Sequence, residues 1–374
     1  MTLGIEEEMF LVDAETLNCV CAMPEAFERD AREFLGERFE REMISSMVEL
    51  VTSSHSSVSA LREEAEENRH KLARVAARHG LAVMACGTHP FSSWPDQIIT
   101  NDDRYAAIAE TVQLPSVRSH VCGLHVHVAV PVEERIEVMN RLRPVLPLFL
   151  AISTSSPFWQ GRASGMKSYR TAINNEFPRS GLPPYFNSNT EYEIATRTLV
   201  DAGMIPDPSY IWWAIRPSAN HPTLELRICD SCTRLEDAIA IAGLFRVLVH
   251  HYRKGGAIEA DYRGDEDVRI EENRWQAARH GIDARFIGPD GEGVTDAMQT
   301  LRALMAKAAA SVHALDANEC IHAAARIISF GTSADRQLTV HADRVACNGR
   351  VEAALRDVAH HLASETLAGS LVSI

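Results

Sequence analysis

Cys122-Gly123-Leu124-His125-Val126-His127-Val128 alternates imidazole with apolar side chains, and that alternation decides the fold. Side chains of a strand point to opposite faces with a period of two. His125 and His127 therefore share one face, and Leu124, Val126 and Val128 the other. A strand that is apolar on one face only suits an antiparallel sheet with one side on a core and the other open. The spacing predicts a strand over 122–130, and three further segments follow the same rule.

Residues 3–12 form the first, with Glu6 and Glu8 on one face and Glu7 on the other. Two like charges on one face repel and are costly to bury unpaired, so they belong either on a solvated edge or around a shared divalent cation. Residues 47–52, Met-Val-Glu-Leu-Val-Thr, form the second; its lone acid Glu49 needs a metal or an arginine as partner. Glu42 lies just upstream in a more polar stretch, where surface charge is the simpler reading. The third is Thr223–Ile228, with Glu225 and Arg227 on one face and Leu224, Leu226 and Ile228 on the core side. A structural ion pair and a phosphate-binding arginine are both open for that pair. For His125 and His127, metal ligation and hydrogen bonding within the sheet are likewise both open.

Around these strands the sequence predicts a polar helix near 24–41 and a helix over 60–79, preceded by Ser57 and stopped by Gly80. A short strand follows at Leu81–Cys86. Pro131 suits the first position of a helix towards Ser153, which Pro144 and Pro147 should kink or split. Thr233 and Glu236 have capping-box spacing for a helix to Arg253. A hairpin is expected at 283–295 around Pro289-Asp290-Gly291, then alanine-rich helices to the end. The long polar connection 154–190 offers Arg162, Lys167, Tyr169 and Arg170 to an anion, or is an ordinary solvated loop. Strands spaced irregularly by helices argue for α+β rather than a doubly wound sheet.

A hydrophobic fraction of 46% supports a sizeable core, and the net charge of -14 has no basic stripe for nucleic acid. Neither a signal sequence nor a span of roughly 20 apolar residues is visible, so a cytoplasmic protein away from membranes is expected. Its 8 cysteines are expected to be reduced packing residues. Neither the P-loop pattern nor the dinucleotide glycine fingerprint occurs. Phosphates would instead be held by cations on the sheet carboxylates, and an acidic site of this kind suits two or more Mg²⁺ ions.

Taken in order, Gly4-Ile5-Glu6-Glu7-Glu8, Ser46-Met47-Val48-Glu49-Leu50-Val51-Thr52, Cys122–His127, Ser156-Pro157-Phe158-Trp159-Gln160-Gly161-Arg162, Glu225-Leu226-Arg227 and Ala334-Asp335-Arg336-Gln337 resemble the bacterial glutamate–cysteine ligase type 2 family of carboxylate–amine ligases. The resemblance runs essentially end to end and implies a single catalytic domain over 1–374. The implied fold is like that of glutamine synthetase and guanidino kinases, a curved, mostly antiparallel sheet with helices on its convex face. It implies an ATP-dependent ligase that forms an amide through an acyl phosphate and releases ADP and phosphate, with weak glutamate–cysteine ligase activity. ATP and Mg²⁺, with Mn²⁺ as a substitute, would be the cofactors. The substrates would be amino acids, glutamate as carboxylate donor and cysteine as amine acceptor, and the protein would be a homodimer. Glu6, Glu8, Glu42, Glu49, His125 and Glu225 fall at metal-ligand positions of the resemblance. Arg227 falls on the transferred phosphoryl group, Glu225 and Arg227 are the catalytic pair, and Arg162 and Arg170 join Arg227 in nucleotide binding. Segment 154–190 would close over the site.

Three rivals stand beside it. One is a metal-dependent hydrolase built on His125 and His127, another a non-catalytic nucleotide-binding homologue. The third is a thiol redox protein using Cys229-Asp230-Ser231-Cys232.

Overall fold

Seven strands form one sheet: β1 (Leu3–Asp13), β2 (Phe39–Arg41), β3 (Met47–Val51), β4 (Leu81–Met84), β5 (Gly123–Ala129), β6 (Ile215–Pro217) and β7 (Thr223–Asp230). Their order is β6-β7-β5-β1-β3-β2, with β4 on the far end of β1, and every pairing is antiparallel. This is a computed structural model, and it describes residues 1–256, 265–288 and 291–368. The main helices are α1 (Glu25–Leu35), α2 (Val58–Arg78), α3 (Leu146–Ser153), α4 (Leu235–Arg253), α5 (Glu266–His280), α6 (Ser333–Asn348) and α7 (Val351–Thr366). The α+β expectation holds.

One face of the sheet is the core. Leu3 and Ile5 of β1, Leu124, Val126 and Val128 of β5, and Leu224 and Leu226 of β7 pack against α3 and α4. These are the apolar members of each alternating set, so their partners must face the other way. Past Glu8 both faces of β1 are covered. Met9 and Leu11 pack on α1 and α2, while Phe10 and Val12 pack towards α7. The polar face is thus open over only part of the sheet.

Glu7, alone among the three glutamates, points into the helices. Arg69 of α2 grips it, with Nε 3.3 Å from Oε2 and NH2 on Oε1. The remaining guanidinium donors reach the carbonyls of Cys232, Thr233 and Thr366. Both side chains are buried. The pair ties β1, the end of β7, α2 and α7 together.

Several local expectations change. The helix from 24 stops at Leu35, where Gly36 takes φ 57, and Phe39–Arg41 continues as edge strand β2. Pro131 precedes a 3-10 turn rather than opening a helix, and the segment to Ser153 splits at Arg143–Val145 around the two prolines. Ser57 caps α2 through Ala60 N as expected. The capping box at Thr233 does not form: α4 begins after Arg234 without a side-chain cap. Thr233 is spent elsewhere, its hydroxyl 2.6 Å from Ser333 Oγ and its carbonyl on Arg69. The hairpin pairs Arg285–Ile287 with Val294–Asp296, while Pro289 and Asp290 at its turn lie outside the described residues. Segment 154–190 is not a solvated loop at its start, since Ser155, Ser156 and Ser168 are fully buried around Asp230.

Two imidazoles are packed neutral beside this frame. His89 donates from Nε2 to Leu17 O and accepts from Ser92 N at Nδ1, and burial pulls its pKa down to about 4. His120 bonds Ser46 Oγ at 3.1 Å, and burial, with His89 nearby, pulls it down to about 3. A depressed imidazole contributes stability that is fully present above its unfolded value of roughly 6.5 and is lost as pH falls towards the folded value. In H120Q the stability deficit relative to wild type should therefore shrink below pH 6.5, by about 1.4 kcal/mol per pH unit. Urea denaturation of both proteins between pH 7 and 4.5 tests this, and a pH-independent difference would refute it. The difference cancels the opposing contribution of raised carboxyls such as Glu42.

Candidate active site

The open face of the sheet gathers the predicted acids and imidazoles. Glu6 sits opposite His125 across β1 and β5, Glu8 opposite Glu49 across β1 and β3, and Glu225 opposite His127 across β7 and β5. A one-residue register shift in β7 between Leu226 and Cys229 marks a bulge across Arg227 and Ile228, a device that re-aims side chains. Arg227 lines the cavity and pairs with Glu225, which is buried and is not one of the lining residues. Arg216 on β6 was not singled out from the sequence, yet it faces Glu225 in register. Its Nε is 2.8 Å from Glu225 Oε2 and its NH2 3.2 Å from Oε1. The cavity is about 280 Å³ and is lined by Glu6, Glu8, Glu42, Glu49, His125 and Arg227 among others.

Charge is unevenly settled here. Burial works against ionised Glu6, but hydrogen bonds to His125 and His127 hold its carboxyl well below the usual range. Glu225 is also held low: burial opposes ionisation, and Arg227 and Arg216 outweigh it. In turn, Glu225 raises Arg227 despite its burial. Glu42 and Glu49 lack such partners. Burial first, then the neighbouring carboxylates, push Glu42 up to about 8 and Glu49 well above its ordinary value.

These residues fit a divalent cation. Ligand atoms of Glu6, His125 and Glu225 lie within 4.8 Å of one another, as do those of Glu8, Glu49 and His125. His125 Nε2 is buried without a hydrogen-bond partner, 3.6 Å from Glu8 Oε1. Carboxyls kept protonated by burial and by neighbouring carboxylates are ones whose ionisation a bound cation would favour. Mostly oxygen donors with one imidazole suit Mg²⁺ or Mn²⁺. His127 belongs to neither group; its Nδ1 is 2.8 Å from Thr223 Oγ1, and its Nε2 is 3.1 Å from Glu6 Oε1. Glu42 lines the cavity and belongs to neither group.

The loop residues divide. Arg170 is buried beneath the strands, its NH1 and NH2 both 3.4 Å from carbonyls, those of Ile228 and Arg227 respectively. It lies so close to Gly123 that a Cβ there would come within 2.2 Å of NH2, so any side chain at that position would displace the guanidinium. Arg170 therefore braces the floor. Arg162 is exposed on the short Phe158–Trp159/Arg162–Ala163 hairpin and does not line the cavity. Lys167 is committed to Asp283 and Asp335. In the 334–337 motif, Gln337 donates to Ser155 O and Arg336 pairs with Asp237, so this motif secures the frame. Cys229 and Cys232 are free and buried; burial pushes Cys229 up to about 12 and raises Cys232, the opposite of a reactive dithiol.

The fold and cavity define an antiparallel-sheet protein with a cavity lined by acids, an imidazole and arginines. The chain belongs to glutamate–cysteine ligase family 2, whose model matches residues 2–360. A Bradyrhizobium sp. protein provisionally named glutamate–cysteine ligase 2 is 39% identical, covering 95% of this chain and 86% of its own. One from Ectopseudomonas mendocina is 39% identical over 98% of this chain and 97% of its own. Among solved structures, a glutamate–cysteine ligase from Francisella tularensis, crystallised in complex with AMP, has a TM-score of 0.70 at 12% identity. That match covers 100% of this chain and 90% of the other. A bifunctional glutathione synthetase from Pasteurella multocida has a TM-score of 0.66 at 13% identity, covering 98% of this chain and 52% of the longer one. These distant structures establish the shared fold. No helix among the described residues is long and apolar enough to cross a membrane.

Proposed function

We propose that this protein is an ATP-dependent carboxylate–amine ligase, with amino acids as substrates and glutamate–cysteine ligation among its activities. One observation carries the reading: ligand atoms of Glu6, Glu8, Glu49 and Glu225 gather around His125 in two groups, beside Arg227 and Arg216. Glu6, Glu8, Glu49, Glu225 and His125 would hold Mg²⁺ or Mn²⁺. Such ions, when bound, neutralise phosphate charge.

The chain's own groups do the rest. Arg227, held by Glu225, presents a fixed cation to the oxygens of a transferring phosphoryl group, where a preorganised donor is worth most. Arg216 fixes Glu225 from the other side, so the guanidinium does not have to be reoriented during transfer. The substrate carboxylate takes the γ-phosphoryl group and ADP leaves. An amine then displaces phosphate from the acyl phosphate and loses a proton, giving an amide. No covalent bond to the enzyme is required, and positioning supplies most of the acceleration. The hydrolase reading has less support: His127 reaches Glu6 through Nε2 at 3.1 Å, but it belongs to neither ligand group, and that reading leaves Arg216 and Arg227 without a role.

Incubation with ATP, Mg²⁺, single amino acids and hydroxylamine tests the reading. ADP with a hydroxamate is the expected product pair, and glutamate with cysteine should give the dipeptide. AMP with pyrophosphate, or amide hydrolysis without nucleotide, would overturn it.

A further inference from the structure

Five arginines line the cavity: Arg104, Arg170, Arg216, Arg227 and Arg274. Four are committed. Arg216 and Arg227 share Glu225. Arg274 pairs with Glu271 at 2.6 Å and donates to Asn175. Arg170 is sunk under β7 on backbone carbonyls, with Asp230 as its counter-charge. Arg104 differs. Its guanidinium lies 4.4 Å from the centre of the Tyr210 ring, and NH1 donates to Ser209 Oγ at 2.9 Å. Among the described residues no carboxylate pairs with it; the nearby Asp102 carboxylate accepts from the backbone N–H groups of Arg104 and Tyr105 as a helix cap.

We propose that Arg104 recognises a non-reacting carboxylate of an amino-acid substrate, and so selects substrates bearing a free carboxylate. This rests on the ligase reading and adds to it a residue that determines specificity. The charge pattern argues for it. Glu6, Glu8, Glu42 and Glu49 line the same cavity and offer a substrate carboxylate no positive charge, so a cation must receive it. Arg104 is the cation whose charge no protein carboxylate has taken up, and a guanidinium matches a carboxylate with paired N–H donors.

Its placement is not explained by local stability. Arg104 sits in the first turn of helix Asp103–Val112, where a cation opposes the helix dipole. Arg104 is exposed, but Tyr210 and Ser209 are buried and support its guanidinium, which limits the entropy lost when a ligand is bound. Ser209 also accepts at its carbonyl from Arg216 NH1. The recognition arginine is therefore joined through one residue to the Glu225 pair.

Calorimetric titration in the presence of Mg²⁺ and a non-hydrolysable ATP analogue tests this without requiring turnover. The probes are glutamate against isoglutamine, its α-carboxamide, and cysteine against cysteinamide. Wild type should prefer the carboxylate member of at least one pair by roughly 10- to 100-fold, the range for a hydrogen bond to a charged group. R104Q should bring that ratio close to one, and R104K should restore part of it. Which pair responds identifies the donor or the acceptor as the source of the carboxylate. An undiminished ratio in R104Q, no preference in wild type, or a loss confined to the ATP analogue would overturn the proposal. The ligase reading is judged separately, by whether wild type forms ADP and hydroxamate.

Discussion

Arg227→Ala should lower turnover by about 100- to 1,000-fold, the loss measured when a preorganised transition-state donor is removed, while the protein folds normally. The expectation of normal folding comes from Glu225. Deleting one partner of a buried ion pair is usually destructive because the other charge is stranded. Here Glu225 keeps Arg216, which contacts both of its oxygens. What disappears is the cation facing the cavity. Its loss also removes a favourable interaction from Glu42 and Glu49, whose carboxyls Arg227 pulls down. Arg227→Lys should recover little, since an ammonium cannot span Glu225 and a phosphoryl oxygen with the same planar fork. ADP release and thermal unfolding, measured on the same preparation, decide the matter. Near-wild-type turnover in Arg227→Ala would remove it from the site, and loss of the fold would contradict the role given to Arg216.

Most of the sheet was legible because each strand has an apolar side that alternates cleanly. Leu124, Val126 and Val128 against His125 and His127 require one register, since a slip of one residue would bury the imidazoles in the core. The same logic located Glu6, Glu8, Glu49, Glu225 and Arg227. It failed where periodicity has no length to work on. Arg216 stands in a three-residue strand ending at Pro217, too short to show alternation. Arg104 begins a polar helix and reads as surface charge. Arg162 and Arg170 show the opposite failure. They share one loop and the same charge, and only the three-dimensional path sends one under the floor and the other to solvent. The Thr233 capping box fits in spacing but loses to tertiary bonding, because its hydroxyl and carbonyl are both claimed from elsewhere in the chain.

Arg69→Met should be the most destabilising single change away from the cavity, costing about 3–5 kcal/mol as for other buried pairs broken on one side. The guanidinium serves five acceptor atoms: the two oxygens of Glu7 and the carbonyls of Cys232, Thr233 and Thr366. Methionine replaces the stem but none of the donors, and each buried acceptor left open adds to the cost. Glu7→Gln should cost less, because an amide oxygen still accepts from Arg69 and the three carbonyl bonds remain. The double replacement Glu7→Leu with Arg69→Met should recover part of the loss, since no buried charge is then stranded. Urea midpoints at constant slope measure all three. An Arg69→Met variant within about 1 kcal/mol of wild type, the scale of an ordinary hydrogen bond, would refute the assignment. The pair also bears on the site. Glu6 and Glu8 are carried on the same strand as Glu7, on the opposite face, so loosening the helix-side grip on Glu7 should let those two carboxylates shift in the cavity. Weakening it should raise the Mg²⁺ concentration needed for turnover before any unfolding is seen.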